Sequence, residues 1–134
     1  MVGLIVLTHC QIAEELVKAT SLIVGEIPAC IPIGIAPEER VETIAERVEQ
    51  AIAAVAQGQG VLILTDLFGG TPSNVGLSFL QEGKVEVVSG VNLPMLLKIS
   101  MGRHGKDLKE IAREAREAGR KNISVASEIM KKRV

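Results

Sequence analysis

The sequence predicts an α/β protein, a three-layer sandwich in which a central, mostly parallel sheet is covered by helices on both faces. Two observations predict it. Short β-branched runs alternate with longer stretches of helical period, the order left by parallel strands joined through crossover helices. Val2 to Leu7 and Val61 to Thr65 are continuously apolar, as strands buried on both faces must be. No repeat, linker or low-complexity segment interrupts this order, so residues 1–134 read as a single domain.

Val2 to Leu7 is the first strand. Gln11 to Val24 follows as a helix with Ile12, Leu16, Ala19 and Ile23 on its apolar stripe, stopping at Gly25. Ala29 to Ile35 is β-branched but carries Pro32, which has no N–H to give a ladder, so this strand belongs at a border of the sheet. Pro37, Glu38 and Glu39 are expected to open the next helix, because proline suits the first helical position and carboxylates suit the positive end. Val41, Ile44, Ala45, Val48, Ile52 and Val55 keep its period up to Gly58.

The strand Val61 to Thr65 ends at Asp66. Gly69-Gly70-Thr71-Pro72 then turns the chain into a helix expected to run through Gln81, with Thr71 as its cap. Val85 to Ser89 is a fourth strand, closed by Gly90, Asn92 and Pro94 ahead of a further helical stretch. Asp107 to Gly119 is amphipathic through Leu108, Ile111, Ala112 and Ala115. Ile123-Ser124-Val125-Ala126 is expected to form a last short strand before a polar tail. Right-handed crossovers between these strands give a shape flavodoxin-like in outline.

Composition narrows the function. The chain is 47% hydrophobic and 23% charged, an ordinary globular balance, and a chain of this length buries roughly two-thirds of the surface it exposes when unfolded. The net charge is −1 and the only basic concentration is Lys131-Lys132-Arg133, which argues against a nucleic-acid partner. Phe68 and Phe79 are the only aromatic residues, too few to stack bases or to pack the apolar faces of sugar rings. Cys10 and Cys30 lack metal-ligand spacing, and the Val2–Leu7 run is too short for a signal peptide or a membrane span. Free thiols in a reducing cytoplasm are therefore expected, without membrane insertion.

In an open parallel sheet, ligands bind beyond the carboxyl ends of the strands. Three of those ends are polar here: Thr8-His9, Asp66 with its Gly-rich turn, and Asn92. A neutral imidazole is a nucleophile near neutral pH and forms a labile phosphoramidate. His9 taken alone is equally well explained as a strand-end histidine. Asp66 at a neighbouring strand end changes that, because a carboxylate on one ring nitrogen fixes the tautomer and frees the other nitrogen's lone pair. Gly69, Gly70 and Thr71 bring unpaired amides and a helix positive end to the same rim, where a phosphoryl group could sit, and the Thr71 hydroxyl can donate to it. Thr8 and Asn92 complete the candidate phosphate-binding set, although for Asn92 a cap on the helix through Pro94 is the favoured reading.

Other chemistries do not match the letters. Gly83-Lys84 and Gly105-Lys106 are followed by Val85 and Asp107, so no nucleotide phosphate loop is present. Gly58 and Gly60 precede a strand instead of following one, unlike a dinucleotide fingerprint. Cys10 points away from His9 if the strand end is extended, Cys30 lies within an apolar strand, and His104 sits in a solvated loop beside Arg103. No metal or cofactor is implied.

With these residues assembled, the chain resembles the mannose-family enzyme IIA of the bacterial phosphoenolpyruvate-dependent sugar phosphotransferase system. The matching segments are Thr8-His9, the run Thr65-Asp66-Leu67-Phe68-Gly69-Gly70-Thr71-Pro72-Ser73-Asn74, and Ser89-Gly90-Val91-Asn92-Leu93-Pro94-Met95-Leu96. The resemblance implies a protein-histidine phosphotransferase component in which His9 Nε2 accepts a phosphoryl group from the carrier protein HPr and donates it to a IIB component. It implies Asp66 on the other ring nitrogen, and a homodimer that exchanges its C-terminal strand, here Ile123 to Ala126. Two letters depart from the family pattern: Cys10 where a small residue is common, and Phe68 where Trp is frequent. They bear on how partners dock. No IIB domain follows Val134, so the expected acceptor is a separate chain. Two other roles fit the same residues: a regulatory module whose docking depends on His9 phosphorylation, and a phosphoryl donor to a dihydroxyacetone kinase, a branch that usually lacks the Gly-Gly-Thr-Pro segment.

Overall fold

The computed structural model describes residues 1–133, without the side chains of Lys132 and Arg133, so the expected basic tail beyond Lys131 lies outside the described residues, as does Val134. The elements are β1 (Gly3–His9), α1 (Ile12–Val24), β2 (Cys30–Ile35), α2 (Val41–Val55), β3 (Val61–Thr65), α3 (Thr71–Ser78), β4 (Val85–Ser89), α4 (Leu93–Met101), α5 (Leu108–Lys121) and α6 (Ala126–Arg133). The four strands form one all-parallel sheet in the order β2-β1-β3-β4. Pro32 lies on the border strand, as its missing N–H requires.

Alternating residues of β1 and β3 feed two cores. Leu4, Val6, Leu62 and Leu64 pack under α1, α4 and α5, whereas Ile5, Leu7 and Ile63 pack under α2 and α3. Each fully buried Leu or Ile contributes about 1.5–3 kcal/mol, so these two strands anchor all three layers.

Four features differ from expectation. The buried face of α1 runs through Ala13, Val17 and Thr20 with Leu16, while Ile12 and Ile23 face solvent. α2 starts at Val41 because Pro37 and Glu38 form a turn closed by the Glu39 N–H on the Ala36 carbonyl at 3.1 Å. α3 stops at Ser78, after which Gln81 pairs with Val85 in an isolated antiparallel bridge. The expected strand over Ile123 to Ala126 is absent. The residues Ile123 to Val125 are irregular and α6 begins at Ala126, since Ala, Glu, Met and Lys favour helix and no strand of the same chain pairs with this segment.

The two borders of the sheet are chemically unequal. At β2, Pro32 offers no donor, the Gly34 N–H donates to Glu14 Oε1 at 2.8 Å, and the Gly34 carbonyl accepts from Arg47 at 3.3 Å. A Cβ at Gly34 would lie 2.0 Å from the Cys10 carbonyl, so only glycine lets the β1–α1 turn approach this closely. Arg47 also binds Glu39 at 2.6 Å, and that hydrogen bond holds the Glu39 carboxyl below its usual pKa. At β4 the N–H and carbonyl of Val85 pair with Gln81 at 2.9 and 3.0 Å, and the Val87 N–H donates to the neighbouring Glu86 Oε1 at 2.9 Å.

Arg103, read from sequence as the flank of a solvated loop, is 1% exposed. Its guanidinium donates to the carbonyls of Val2 at 2.8 Å, Ala29 at 3.4 Å and Pro28, gathering the amino ends of β1 and β2. Burial lowers its pKa from the ordinary arginine value. Arg103→Met should therefore cost about 3 kcal/mol in urea unfolding, and Arg103→Lys should recover only part of it, because an ammonium cannot span three carbonyls as a planar fork does. Cys10 lies in the left-handed region with φ +49°, a conformation that costs a residue with a Cβ about 1 kcal/mol or more. Cys10→Gly should raise the unfolding free energy by up to about 1 kcal/mol; a loss of stability would show that the turn carries no such strain.

Candidate functional site

β1 and β3 are neighbours whose chain connections leave in opposite directions, β1 towards β2 and β3 towards β4. The crevice at their carboxyl ends is the point where strand order reverses. His9 is the last residue of β1, and Asp66 follows the last residue of β3.

Asp66 Oδ2 accepts from the backbone N–H of His9 at 3.1 Å and lies 2.9 Å from His9 Nδ1. Odd-numbered β1 residues turn their N–H groups towards β3, as the Gly3 N–H does onto Gly60. Where β3 ends, the Asp66 carboxylate therefore takes the place of a strand carbonyl. An ionised carboxylate only accepts, so Nδ1 carries the proton and Nε2 presents its lone pair. The His9 side chain is 45% exposed and that of Asp66 14%. The acid is sheltered and the ring is open.

Gly70 borders the free side of the ring. A Cβ there would stand 2.8 Å from His9 Cε1 and 3.1 Å from Nε2, closer than any side chain can sit. Gly70 is the N-cap of α3, and the first backbone bond of that helix runs from Asn74 N–H to the Gly70 carbonyl at 2.9 Å. The amides of Gly70, Thr71 and Ser73 have no recorded partner among the described residues. These donors and the helix positive end suit an anion carried on Nε2. Gly69 precedes them with φ +102°, which favours glycine.

His9, Asp66, Gly69, Gly70 and Thr71 are thus brought to one rim. Thr71 is exposed at the first turn of α3 and makes no cap; that place belongs to Gly70. Two members of the expected phosphate-binding set have their polar groups engaged elsewhere. Thr8 is fully buried, accepting from the Ala13 N–H at 2.7 Å and donating to the His9 carbonyl at 3.1 Å, which uses its one proton. Asn92 accepts from the Met95 N–H at 3.0 Å and donates to the Gly119 carbonyl at 3.1 Å, so its amide caps α4 and ties it to α5.

Sequence reasoning missed the polar atoms that remain unpaired here. Asp66 Oδ1 and Ser73 Oγ are buried without a hydrogen-bond partner among the described residues. It also gave no role to the Thr65 hydroxyl, which donates to Ser89 Oγ at 3.1 Å, or to the Thr65 carbonyl, which accepts from Gly90 and Val91 at 2.8 and 2.9 Å. These bonds fix the strand end from which Asp66 projects. Leu67 and Phe68, 58% and 72% exposed, add an apolar rim beside the polar centre. Cys10 and Cys30 are free thiols, and burial pushes the Cys30 pKa up to about 11, leaving it an unreactive thiol at neutral pH. His104 is exposed beside Met1 and Gln59, at the amino end of the sheet.

No helix among the described residues is long and apolar enough to cross a membrane. Residues 3–116 match the family model described as the PTS system fructose IIA component. The fructose-specific EIIA component of Bacillus subtilis is 30% identical over 133 residues, 98% of this chain and 91% of that protein. The sorbose-specific EIIA component of Lacticaseibacillus casei is 30% identical over 81% of this chain and 78% of its own. The mannose-specific EIIAB component of Escherichia coli is 32% identical over 91% of this chain, which spans only 38% of that longer protein. Among solved structures, the PTS IIA protein associated with the fucose utilization operon of Streptococcus pneumoniae superposes with a TM-score of 0.83 at 27% identity, covering 95% of both chains. The phosphotransferase system component EIIA of Streptococcus agalactiae shares the fold with a TM-score of 0.86, over 96% of this chain and 99% of its own. The all-parallel sandwich, the matched residues and these relatives agree, and the chain belongs to the family of the PTS system fructose IIA component.

Proposed function

We propose that this chain is a cytoplasmic phosphocarrier in sugar uptake, accepting a phosphoryl group from phospho-HPr on His9 Nε2 and passing it to a histidine of a separate IIB component. One observation carries the reading: a half-exposed imidazole held through Nδ1 on Asp66, with its Nε2 edge against the amide-rich start of α3. In the forward step the Nε2 lone pair attacks phosphorus in line with the donor's N–P bond. That bond breaks, and its electron pair stays on the donor imidazole. The His9 ring gains positive charge as its own N–P bond forms, and the Nδ1–H shares that charge with Asp66. The amides of Gly70, Thr71 and Ser73 are the donors available to the phosphoryl oxygens. Onward transfer to IIB is the same step in reverse, with Nε2 as the leaving atom.

The reading is tested by mixing the protein with phosphoenolpyruvate, enzyme I and HPr and mapping acid-labile phosphate by mass spectrometry. His9→Ala should abolish the label and His104→Ala should leave it. Asp66→Ala should slow transfer by about a hundredfold while the protein stays folded. Gly70→Ala should slow it too, since the new methyl would stand against the ring. Label on His104, or an unchanged rate in Asp66→Ala, would remove the proposal.

The same reading includes a homodimer. β4 is a border strand, and beside it lies a groove of about 470 Å³ whose lining includes Glu86, Lys109, Arg113 and Arg116. Ile123 and Val125 are 77% and 57% exposed, a costly arrangement for two β-branched residues unless another surface covers them. A second copy's Ile123 to Ala126, extended along β4, would pair the free backbone groups of both. Sedimentation should give a dimer, and the double change Ile123→Asp with Val125→Asp should give a folded monomer. A monomeric wild type at about ten micromolar would refute the dimer.

A further inference from the structure

We infer that the buried hydroxyl of Thr8 is a positioning group: it locks the peptide between His9 and Cys10 and thereby keeps the His9 ring on Asp66. The inference rests on His9 being the phosphoryl acceptor, and it assigns Thr8 a role that involves no contact with phosphate.

Each backbone group around His9 is tied to a different element. Its N–H goes to Asp66 Oδ2 beyond β3, the following Cys10 N–H goes to the Ile35 carbonyl of β2 at 2.8 Å, and its carbonyl goes to Thr8 Oγ1. The same Thr8 oxygen accepts from Ala13 N–H at 2.7 Å. Gln11, the N-cap residue of α1, makes no side-chain cap. Thr8 therefore caps the helix from the strand side of the turn and joins that cap to the His9 carbonyl.

The turn needs such a tie because Cys10 is held at φ +49°. Rotation of the 9–10 peptide would let Cys10 leave the left-handed region, so the strain drives that rotation unless the carbonyl and the N–H are both held. The Thr8 hydroxyl is the only recorded partner of the carbonyl among the described residues. Rotation would alter ψ of His9, whose Cα also carries the imidazole. That ring has little room to move, with the position of a Gly70 Cβ 2.8 Å from its Cε1 on one side and Asp66 2.9 Å from Nδ1 on the other. Small displacements at the strand end are therefore expected to break the ring's hydrogen bond and misdirect Nε2.

Thr8→Val removes the hydroxyl and keeps the shape of the side chain; Thr8→Ser keeps the hydroxyl. Nitrogen-15 spectra of the imidazole should show one neutral tautomer, protonated at Nδ1, in the wild type and in Thr8→Ser, and a mixture in Thr8→Val. With phospho-HPr as donor, Thr8→Val should lose about tenfold in the maximal rate of phosphoryl uptake with an unchanged half-saturating donor concentration, and Thr8→Ser should recover both. If Thr8→Val is unstable, the measurements are made in trimethylamine N-oxide, which restores folding without restoring the hydroxyl. A Thr8→Val protein that is folded and keeps the wild-type tautomer would overturn the inference and leave Thr8 a helix cap only. So would a Thr8→Ser protein that fails to recover. If the wild type itself takes up no phosphoryl group, the phosphocarrier reading falls, while the tautomer comparison still decides whether Thr8 positions the ring.

Discussion

One carboxylate oxygen organises the carboxyl end of this sheet. Asp66 Oδ2 faces both the N–H and the Nδ1 of His9, so a single acceptor fixes the strand end and the ring that extends from it. Backbone and side chain of one residue are thereby locked to the same atom, which restricts the ring far more than a bond to Nδ1 alone. The arrangement depends on β3 stopping at Thr65, one residue before the place where a carbonyl would otherwise continue the ladder.

Around that pair, each constraint serves the same geometry from a different element. Thr65 anchors the base of Asp66 to β4 through its hydroxyl and carbonyl. Gly70 brings α3 against the ring because it has no Cβ, and the amides at the start of that helix remain free. Apart from His9, Asp66 and the exposed Leu67 and Phe68, the rim consists of backbone donors and small residues. Such a site leaves the ring accessible and positions charge without needing a deep cavity.

The unequal borders of the sheet have a parallel logic. Proline, a carboxylate from α1 and a guanidinium from α2 occupy the outward face of β2, which discourages pairing there. β4 is covered in part, by Gln81 paired with Val85 and by the Glu86 carboxylate on the Val87 N–H, and the C-terminal segment leaves β-branched residues in solvent. The cover of β2 comes from side chains that belong to no strand.

Local chemistry alone determined much of this protein. The β-branched runs set β3 and β4 to the residue, Pro32 assigned β2 to a border, and the ends of the first and third strands put His9 and Asp66 side by side. These features are legible because they depend on periodicity, on the missing N–H of proline, or on the general position of strand termini. Only the tertiary structure decided the rest, because each outcome depends on a partner distant in the chain. The Arg103 side chain is buried by carbonyls of Val2 and Pro28, far away in sequence, where its neighbours suggested a wet loop. Asn92 has its amide held by Gly119, and Thr8 draws Ala13, not Ile12, onto the core face of α1. A helical period allows two adjacent stripes, and a polar side chain several partners. Which one is realised is set when strands and helices meet, by whichever donors and acceptors would otherwise be buried unpaired.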